Sequence, residues 1–283
     1  MQIGVLAESF GLPLREAISE AARLGVKGVQ IYAVEGETAP ENMDAAAIRE
    51  LRTAIKDQNL VISAICADMG GGGFAFPEQN AARMERTRRI MDMALQLDCR
   101  VLTTHIGVVP TDAQHPRNAV IADALGRLGE YAQRAGAVFA IETGPEPAHV
   151  LLRMLQQVNN PATGVNMDPA NLVMSLQADP VQAVYTLKDH IVHTHAKDGV
   201  FLKWVDPDMA YGMVPPAPDY NESDYCLEVP LGQGGVDFPR YLRALQDIGY
   251  QGFLTIERET GENPARDIEL AVRFLQERLE ELR

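Results

Sequence analysis

Four polar side chains stand at or near the ends of short apolar stretches. Three carboxylates gathered in one place would repel one another unless a divalent cation lay between them. Carboxylate oxygens combined with one imidazole nitrogen suit Mn²⁺, Co²⁺, Zn²⁺ or Mg²⁺. If the fold brings the four together, the sequence predicts a site for one divalent metal ion. The four are Glu142 in FAIE, Asp168 in VNMD, His195 in IVHTHAKD and Glu257 in LTIE.

Each of these residues has a more common structural role when it is taken alone. A carboxylate at the end of a strand is usually a helix cap or an ion-pair partner, and a histidine there is usually a hydrogen-bonded structural residue. The segment HTHAKD, residues 193–198, is ambiguous for this reason, since it carries two histidines. The metal hypothesis therefore depends on four candidate ligands at the ends of four successive strands.

The elements that must position these residues recur along the chain. Eight short apolar or β-branched runs are each followed by a longer segment with helical periodicity, which is typical of βα units on a parallel sheet. Eight such units in 283 residues predict a single-domain (β/α)8 TIM barrel, whose active site lies at the carboxyl ends of the strands. The runs are IGVLAES, GVQIYA, VISAICAD, VLTTHIG, VFAIETG, TGVNMDP, IVHTHAKD and GFLTIERE.

One connection is longer than the rest. Residues 199–236 separate the seventh strand from its helix, and their Pro, Gly and aromatic content favours an ordered excursion over the barrel mouth. A surface or subunit-contact loop without a catalytic role is the alternative. The last helix is predicted to begin with Asn263 as its N-cap and Pro264 at its first position.

Composition and charge limit the possible partners. A net charge of −14 opposes binding to nucleic acid, because phosphate backbones require clustered Lys and Arg. The three cysteines show no disulfide spacing, which fits a reducing compartment. Neither an export leader nor an apolar run of about 20 residues is evident. We therefore expect a cytoplasmic protein that does not enter a membrane.

The motifs IETG, NMDPANL, HTHAKD and PLGQGGVDFPRYLRALQDIGYQGFLTIERE resemble those of the xylose isomerase-like TIM barrels. That family includes sugar isomerases and epimerases, inosose dehydratases, hydroxypyruvate isomerases and endonuclease IV, and the resemblance covers nearly the whole chain. It implies that Glu142, Asp168, His195 and Glu257 bind the metal. In its H-x-K-D pattern, the ligand is His195 rather than His193, which is then expected one layer deeper as a supporting residue or a substrate contact.

The epimerase branch of this family also implies that Glu142 and Glu257 are the acid/base pair. A cation that polarises a carbonyl and an adjacent hydroxyl makes the neighbouring carbon acidic enough for a carboxylate to deprotonate. Reprotonation of the resulting enediolate by the opposite carboxylate inverts the centre. Delivery of the proton to the neighbouring carbon instead interconverts an aldose and a ketose.

Further residues are candidates for contact with a sugar or polyol substrate. They are His105, Glu146, Asn171, His193, Lys197 and Trp204. Asn171 departs from the family, since several epimerases carry a second histidine there, and this leaves the substrate open. For Lys197, an ion pair with Asp198 is the favoured alternative. Arg258 is expected to point away from the lumen, and the glycines of residues 70–73 to form a rim loop rather than an anion cradle.

Other functions remain alternatives. A dehydratase of the inosose type would use the same ligands and expel a β-hydroxyl, so the sequence hardly separates it from an isomerase or epimerase. A phosphodiesterase acting on DNA would need three zinc ions and more histidines than His105, His193 and His195 supply. A non-catalytic partner subunit would have an incomplete ligand set. Related barrels commonly associate, so a homo-oligomer is possible.

Overall fold

A computed structural model describes residues 1–282 as a closed barrel of eight parallel strands, in the spatial order β1-β10-β7-β6-β5-β4-β3-β2. The predicted TIM barrel is therefore confirmed, and each predicted apolar run contains one barrel strand. The barrel strands are β1 (Gln2–Leu6), β2 (Gly28–Tyr32), β3 (Val61–Cys66), β4 (Val101–Thr104), β5 (Val138–Glu142), β6 (Thr163–Met167), β7 (Ile191–Ala196) and β10 (Phe253–Ile256).

The helices surround the barrel and, apart from the four-residue α8, bury one apolar face. The last of them begins as the sequence predicts, because the Asn263 side chain accepts a hydrogen bond from the backbone N–H of Arg266 and Pro264 follows it. The helices are α1 (Leu14–Arg23), α2 (Ala45–Asp57), α3 (Pro77–Gln96), α4 (Pro116–Ala135), α5 (Ala148–Val158), α6 (Pro169–Leu176), α7 (Pro180–Leu187), α8 (Pro207–Ala210), α9 (Phe238–Asp247) and α10 (Pro264–Glu281).

The long connection after β7 is ordered. It contains an antiparallel pair formed by β8 (Asp198–Phe201) and β9 (Cys226–Val229), with the short helix α8 between them. The sequence analysis predicted an ordered segment but no strands in it. Arg117 at the start of α4 holds the excursion through a bidentate pair with Asp208, at 2.7 and 2.8 Å.

The core fills both the barrel and the layer between strands and helices. Large buried side chains include Phe139 on β5, Leu102 on β4 and Tyr241 on α9, and burial of each such side chain contributes roughly 1.5–3 kcal/mol. No helix within residues 1–282 is both long and apolar enough to cross a membrane. The packed core therefore holds the ends of the strands in fixed positions. The polar residues gather at the carboxyl ends of these strands.

Candidate active site

The four predicted ligands meet at the carboxyl edge of the barrel. Ligand atoms of Glu142, Asp168, His195 and Glu257 all lie within 4.8 Å of one another, and the four residues are buried. Glu142 ends β5, Asp168 follows β6, His195 lies on β7 and Glu257 follows β10. In the barrel order these strands are neighbours, so parallel strand ends bring together residues that are far apart in sequence.

His195 directs one ring nitrogen at the three carboxylates. Nδ1 lies 3.1 Å from Oε2 of Glu257, 3.3 Å from Oδ2 of Asp168 and 3.6 Å from Oε1 of Glu142. A single ring nitrogen has one N–H at most, and cannot satisfy three acceptors. Burial alone would lower the pKa of His195, but the carboxylates of Glu257 and Glu142 outweigh it and hold this pKa well above its ordinary value. The electric field of the three carboxylates at Nδ1 of His195 therefore favours a positive charge.

Gln30 on β2 contacts the ring nitrogen of His195 that points away from the carboxylates. The Gln30 amide donates to the Thr103 hydroxyl at 3.2 Å, so its carbonyl oxygen is the atom that lies 3.1 Å from Nε2 of His195, and the Asn166 amide nitrogen lies 3.2 Å from the same Nε2. With Nε2–H directed at the Gln30 oxygen, the lone pair of Nδ1 would face the carboxylate cluster. A neutral histidine with this tautomer is suited to bind a metal ion.

The donor set fits one divalent cation. Oε2 of Glu257 is buried and makes no hydrogen bond of acceptable geometry, although Nδ1 of His195 and Nζ of Lys197 both lie 3.1 Å away. Burial alone would raise the pKa of Glu257, but His195 and Lys197 hold it well below its usual range. An ionised oxygen without a hydrogen-bond donor, beside further oxygen ligands and one imidazole, is what Mn²⁺, Co²⁺, Zn²⁺ or Mg²⁺ would bind.

A chain of buried polar groups supports this cluster from below. Asn166 on β6 donates to Oε2 of Glu142 at 3.1 Å, and its carbonyl oxygen lies 2.9 Å from Nδ1 of His193. The other nitrogen of His193 lies 3.0 Å from the Thr255 hydroxyl. Burial, and then the charge of His195, lower the pKa of His193 far below its ordinary value, so it is neutral. His193 acts on the site through Asn166, one layer deeper.

Asn171 connects two of the ligands. Asp168 is the N-cap of α6, and its Oδ1 accepts from the Asn171 backbone N–H at 2.9 Å. The Asn171 side chain donates to Oε1 of Glu142 at 3.1 Å. His105, which follows β4, approaches the same oxygen with Nε2 at 3.5 Å. Both residues line the cavity, where they contact the Glu142 carboxylate and can reach a bound substrate.

The cavity above the four residues has a volume of about 200 Å³. This is smaller than most sites for drug-sized ligands. The excursion supplies much of its wall, including three tyrosines whose contribution the sequence analysis missed. Their signal was the aromatic content of residues 199–236. The tyrosines on the wall are Tyr32 from β2 and Tyr211, Tyr220 and Tyr225 from the excursion.

Three predicted substrate contacts are placed elsewhere or differently. Trp204 is 66% exposed and does not line the cavity, because the excursion turns it toward solvent. Glu146 is buried away from the cavity, and its Oε2 accepts from the Val109 backbone N–H. Lys197 lines the cavity but is not paired with Asp198. It contacts Glu257, Glu228 and Glu259 instead.

The carboxylate of Asp198 is hydrogen-bonded to the backbone of the excursion. Its two oxygens accept hydrogen bonds from four N–H groups, so no lone pair is left for Lys197. The donors are Gly199, Gly232, Gly234 and Val236, at 2.9 to 3.1 Å. Arg258, expected to be structural, lies outside the cavity lining and pairs with Glu228 at 2.7 Å and Asp267 at 2.9 Å.

The glycine run at residues 70–73 packs as a rim loop. All four glycines have positive φ, and a Cβ on Gly73 would lie 2.1 Å from the carbonyl carbon of Ile106. Arg83 donates to the carbonyl oxygens of Gly70 and Gly71. The Gly70 N–H is bound to Asp68, so the loop is a closely packed support rather than a free anion cradle.

A sequence model described as "Xylose isomerase-like TIM barrel" matches residues 18–278. The chain belongs to this family. Among curated relatives of this TIM barrel, fructoselysine 3-epimerase of Escherichia coli O157:H7 is 22% identical over 273 residues, which cover 88% of this chain and 86% of the relative.

Solved structures with the same fold superpose over nearly the full length. A xylose isomerase domain protein from Planctomyces limnophilus has a TM-score of 0.80 at 25% identity, and covers 99% of this chain and 97% of its own. A probable 3-DHS dehydratase of Bacillus anthracis, involved in petrobactin synthesis, has a TM-score of 0.74 at 18% identity, with 98% and 99% covered. The relatives point to an enzyme of the isomerase class, and a dehydratase shares the fold.

Proposed function

We propose that this xylose isomerase-like barrel is a divalent-metal-dependent epimerase or isomerase of a small ketose, with epimerisation as the favoured reaction. One observation carries the proposal. The barrel order β10-β7-β6-β5 places Glu257 and Glu142 at the two ends of the ligand cluster, with His195 and Asp168 between them. A substrate held over the cluster would have one carboxyl group toward each side.

Two opposed carboxyl groups suit the inversion of a carbon centre. One glutamate, ionised, takes the proton from the carbon beside the carbonyl, and the other, protonated, delivers its proton to the same carbon from the opposite face. The electron pair of the broken C–H bond passes into the enediolate and returns to carbon when the second proton arrives. A bound divalent cation would polarise the carbonyl and the adjacent hydroxyl and stabilise the enediolate.

The two glutamates have different neighbours. Glu142 accepts from Asn166 and Asn171 and lies near His105. Glu257 lies 3.1 Å from the ammonium group of Lys197. These contacts hold each carboxylate in place and leave the cavity above them for a substrate.

The reaction is tested by incubating candidate ketoses and inososes with the Mn²⁺-loaded or Co²⁺-loaded protein in deuterated water. We expect deuterium at the carbon beside the carbonyl of an intact sugar, together with the epimer, and no reaction after chelation. Loss of water from the product would instead identify a dehydratase. Protein that turns over fully without a divalent metal would contradict the proposal.

The acid/base assignment is tested with Glu142→Gln and Glu257→Gln. Each amide keeps the shape of the side chain but cannot exchange a proton with carbon, so kcat should fall by a factor of at least about 100. The matched control is Glu262→Gln, which removes an exposed carboxylate outside the cavity and should not change kcat. Full activity in either of the two variants would refute the role of that glutamate.

A further inference from the structure

The cavity is strongly acidic. Its titratable lining includes five carboxylates against one lysine and two histidines, His105 and His195, and no arginine of residues 1–282 contributes to it. Phosphate carries close to two negative charges at neutral pH, and proteins usually bind it with Arg or unpaired Lys. The carboxylates are Asp68, Glu142, Glu222, Glu257 and Glu259.

The single lysine of the lining is already occupied. Lys197 is 4% exposed, and its ammonium group lies 3.1 Å from Oε2 of Glu257 and 3.7 Å from Oε2 of Glu228. Its third contact is a hydrogen bond to Oε2 of Glu259. Three carboxylates therefore surround this single positive charge, and its hydrogen bond goes to Glu259, so the ammonium group is already neutralised before an anionic ligand arrives.

Other cations near the mouth are also committed. Arg258 is paired with Glu228 and Asp267, and the Lys203 ammonium lies over the Tyr225 ring, 4.3 Å from its centroid. Neither lines the cavity. A bound divalent cation would not reverse the charge, because the three carboxylates of its own ligand set outnumber its two positive charges.

We infer that the site accepts a sugar without phosphate or carboxylate groups, either uncharged or carrying an amine, and that Glu259 sets this preference by occupying Lys197. The inference rests on the proposed sugar site and specifies its substrate class. Glu259 suits the role because it is the exposed member of the cluster: its side chain is 52% exposed, whereas those of Glu228, Glu257 and Lys197 are 5% exposed. Without it, the ammonium group has a free donor toward the open end of the cavity.

The test measures binding rather than turnover. Protein loaded with Mn²⁺ and freed of excess metal is titrated by calorimetry with a hexitol, the same hexitol 6-phosphate and a 1-amino-1-deoxyhexitol. These reduced sugars have no carbonyl and cannot react. We expect the hexitol and its amine to bind at least about tenfold more tightly than the phosphate. Equal or tighter binding of the phosphate would overturn the inference.

Variants then assign the preference to Glu259. Glu259→Gln should reduce the ratio of the hexitol affinity to the phosphate affinity about fivefold to tenfold, as expected for one unit charge at short range in a partly solvated site. Glu280→Gln, an exposed carboxylate on α10, is the control for net charge and should change neither. If the difference in affinity between the hexitol and its phosphate is the same in Glu259→Gln as in the wild type, Glu259 does not set the preference. If the Mn²⁺-loaded protein bound none of the sugars, the proposed function itself would fail together with the inference.

Discussion

Gln30 illustrates how a single polar side chain can prepare a ligand. It is buried on β2, and its carbonyl oxygen lies 3.1 Å from Nε2 of His195, a position from which an acceptor favours the tautomer with the proton on Nε2. The sequence offered a signal, since Gln30 interrupts the apolar run GVQIY. Gln30 was not predicted, because it lies inside its strand, whereas the predicted metal ligands are strand-end residues. Asn166, a polar residue inside TGVNM, was missed for the same reason.

Replacing Gln30 by Leu should weaken metal binding. Loss of the acceptor frees the His195 ring to rotate and to change tautomer, and loss of such a supporting hydrogen bond typically costs about 10-fold to 100-fold in metal affinity. Calorimetric titration with Mn²⁺ measures this. The control is Ser63→Ala on neighbouring β3, whose buried hydroxyl has no hydrogen-bond partner. Equal Mn²⁺ affinity in Gln30→Leu and the wild type would show that Gln30 does not position His195.

Glu146 predicts a pH dependence of stability. Burial raises its pKa to about 8 from an ordinary value of 4.5, so the folded state binds a proton that the unfolded state has released. The contribution of Glu146 to the free energy of unfolding is fully present below about pH 4.5 and is lost as the pH rises toward 8. Glu146→Gln cannot ionise, and should therefore be less sensitive to pH than the wild type over this window.

Denaturant unfolding at pH 5 and pH 8 measures the effect. Between pH 5 and pH 8, the free energy of unfolding of Glu146→Gln should rise by roughly 2 kcal/mol or more relative to that of the wild type, since each unit of pKa shift corresponds to about 1.4 kcal/mol. The Gln carbonyl can still accept from the Val109 N–H. Glu130→Gln, exposed on α4, should follow the wild type at both pH values. If Glu146→Gln also follows the wild type at both pH values, Glu146 is ionised in the folded protein.

At the scale of elements, the carboxyl ends of the strands supply the ligands and the excursion supplies the wall. Strand ends are predictable from sequence, because an apolar run that stops at a carboxylate marks the strand and places its end within about one residue of that carboxylate. The excursion is less readable. Its β8–β9 pair is short and irregular in pattern, so the sequence predicted order in residues 199–236 without predicting which side chains face the cavity.

Asp198 holds the base of the excursion, and its removal should loosen that element. Asp198→Ala would leave the N–H groups of Gly199, Gly232, Gly234 and Val236 without their acceptor. We expect a loss of about 3 kcal/mol in the free energy of unfolding and faster proteolytic cleavage within residues 199–236. Asp219→Ala, an exposed position in the same segment, is the control. Wild-type cleavage rates in Asp198→Ala would refute this anchoring role.

At the scale of the whole molecule, the candidate metal site joins the ends of four strands and spans 115 residues of the sequence, from Glu142 to Glu257. A cation that binds only the folded barrel stabilises it by about 2.7 kcal/mol at 100 times its Kd. For a chain of this size, that corresponds to a rise in Tm of roughly 5 °C. The four ligands then become one cooperative unit.

Thermal unfolding with Mn²⁺ and after chelation measures this coupling. The wild type should lose roughly 5 °C on chelation, and the double variant Glu142→Gln/Glu257→Gln, which lacks two anionic ligands, should lose much less. Glu262→Gln, with its exposed position outside the cavity, should behave as the wild type. A Tm that does not respond to Mn²⁺ in the wild type would contradict a metal site at this cluster.

The sequence by itself determined the barrel, its strands and the four residues that meet at its mouth. These follow from local patterns, namely apolar periodicity and the residue type at each strand end, combined with a topology in which parallel strand ends share one edge. The order of the strands then made Asp168, His195 and Glu257 neighbours without any knowledge of distances.

Only the tertiary structure decided which partner each polar side chain has. Gln30 and His195 are 165 residues apart, and Lys197 turns from the adjacent Asp198 to three glutamates because the backbone of the excursion already occupies that aspartate. Glu146 is buried and Trp204 exposed for similar reasons. Hydrogen bonds and ion pairs depend on distances of a few ångströms between segments remote in sequence, which residue type and spacing along the chain do not specify.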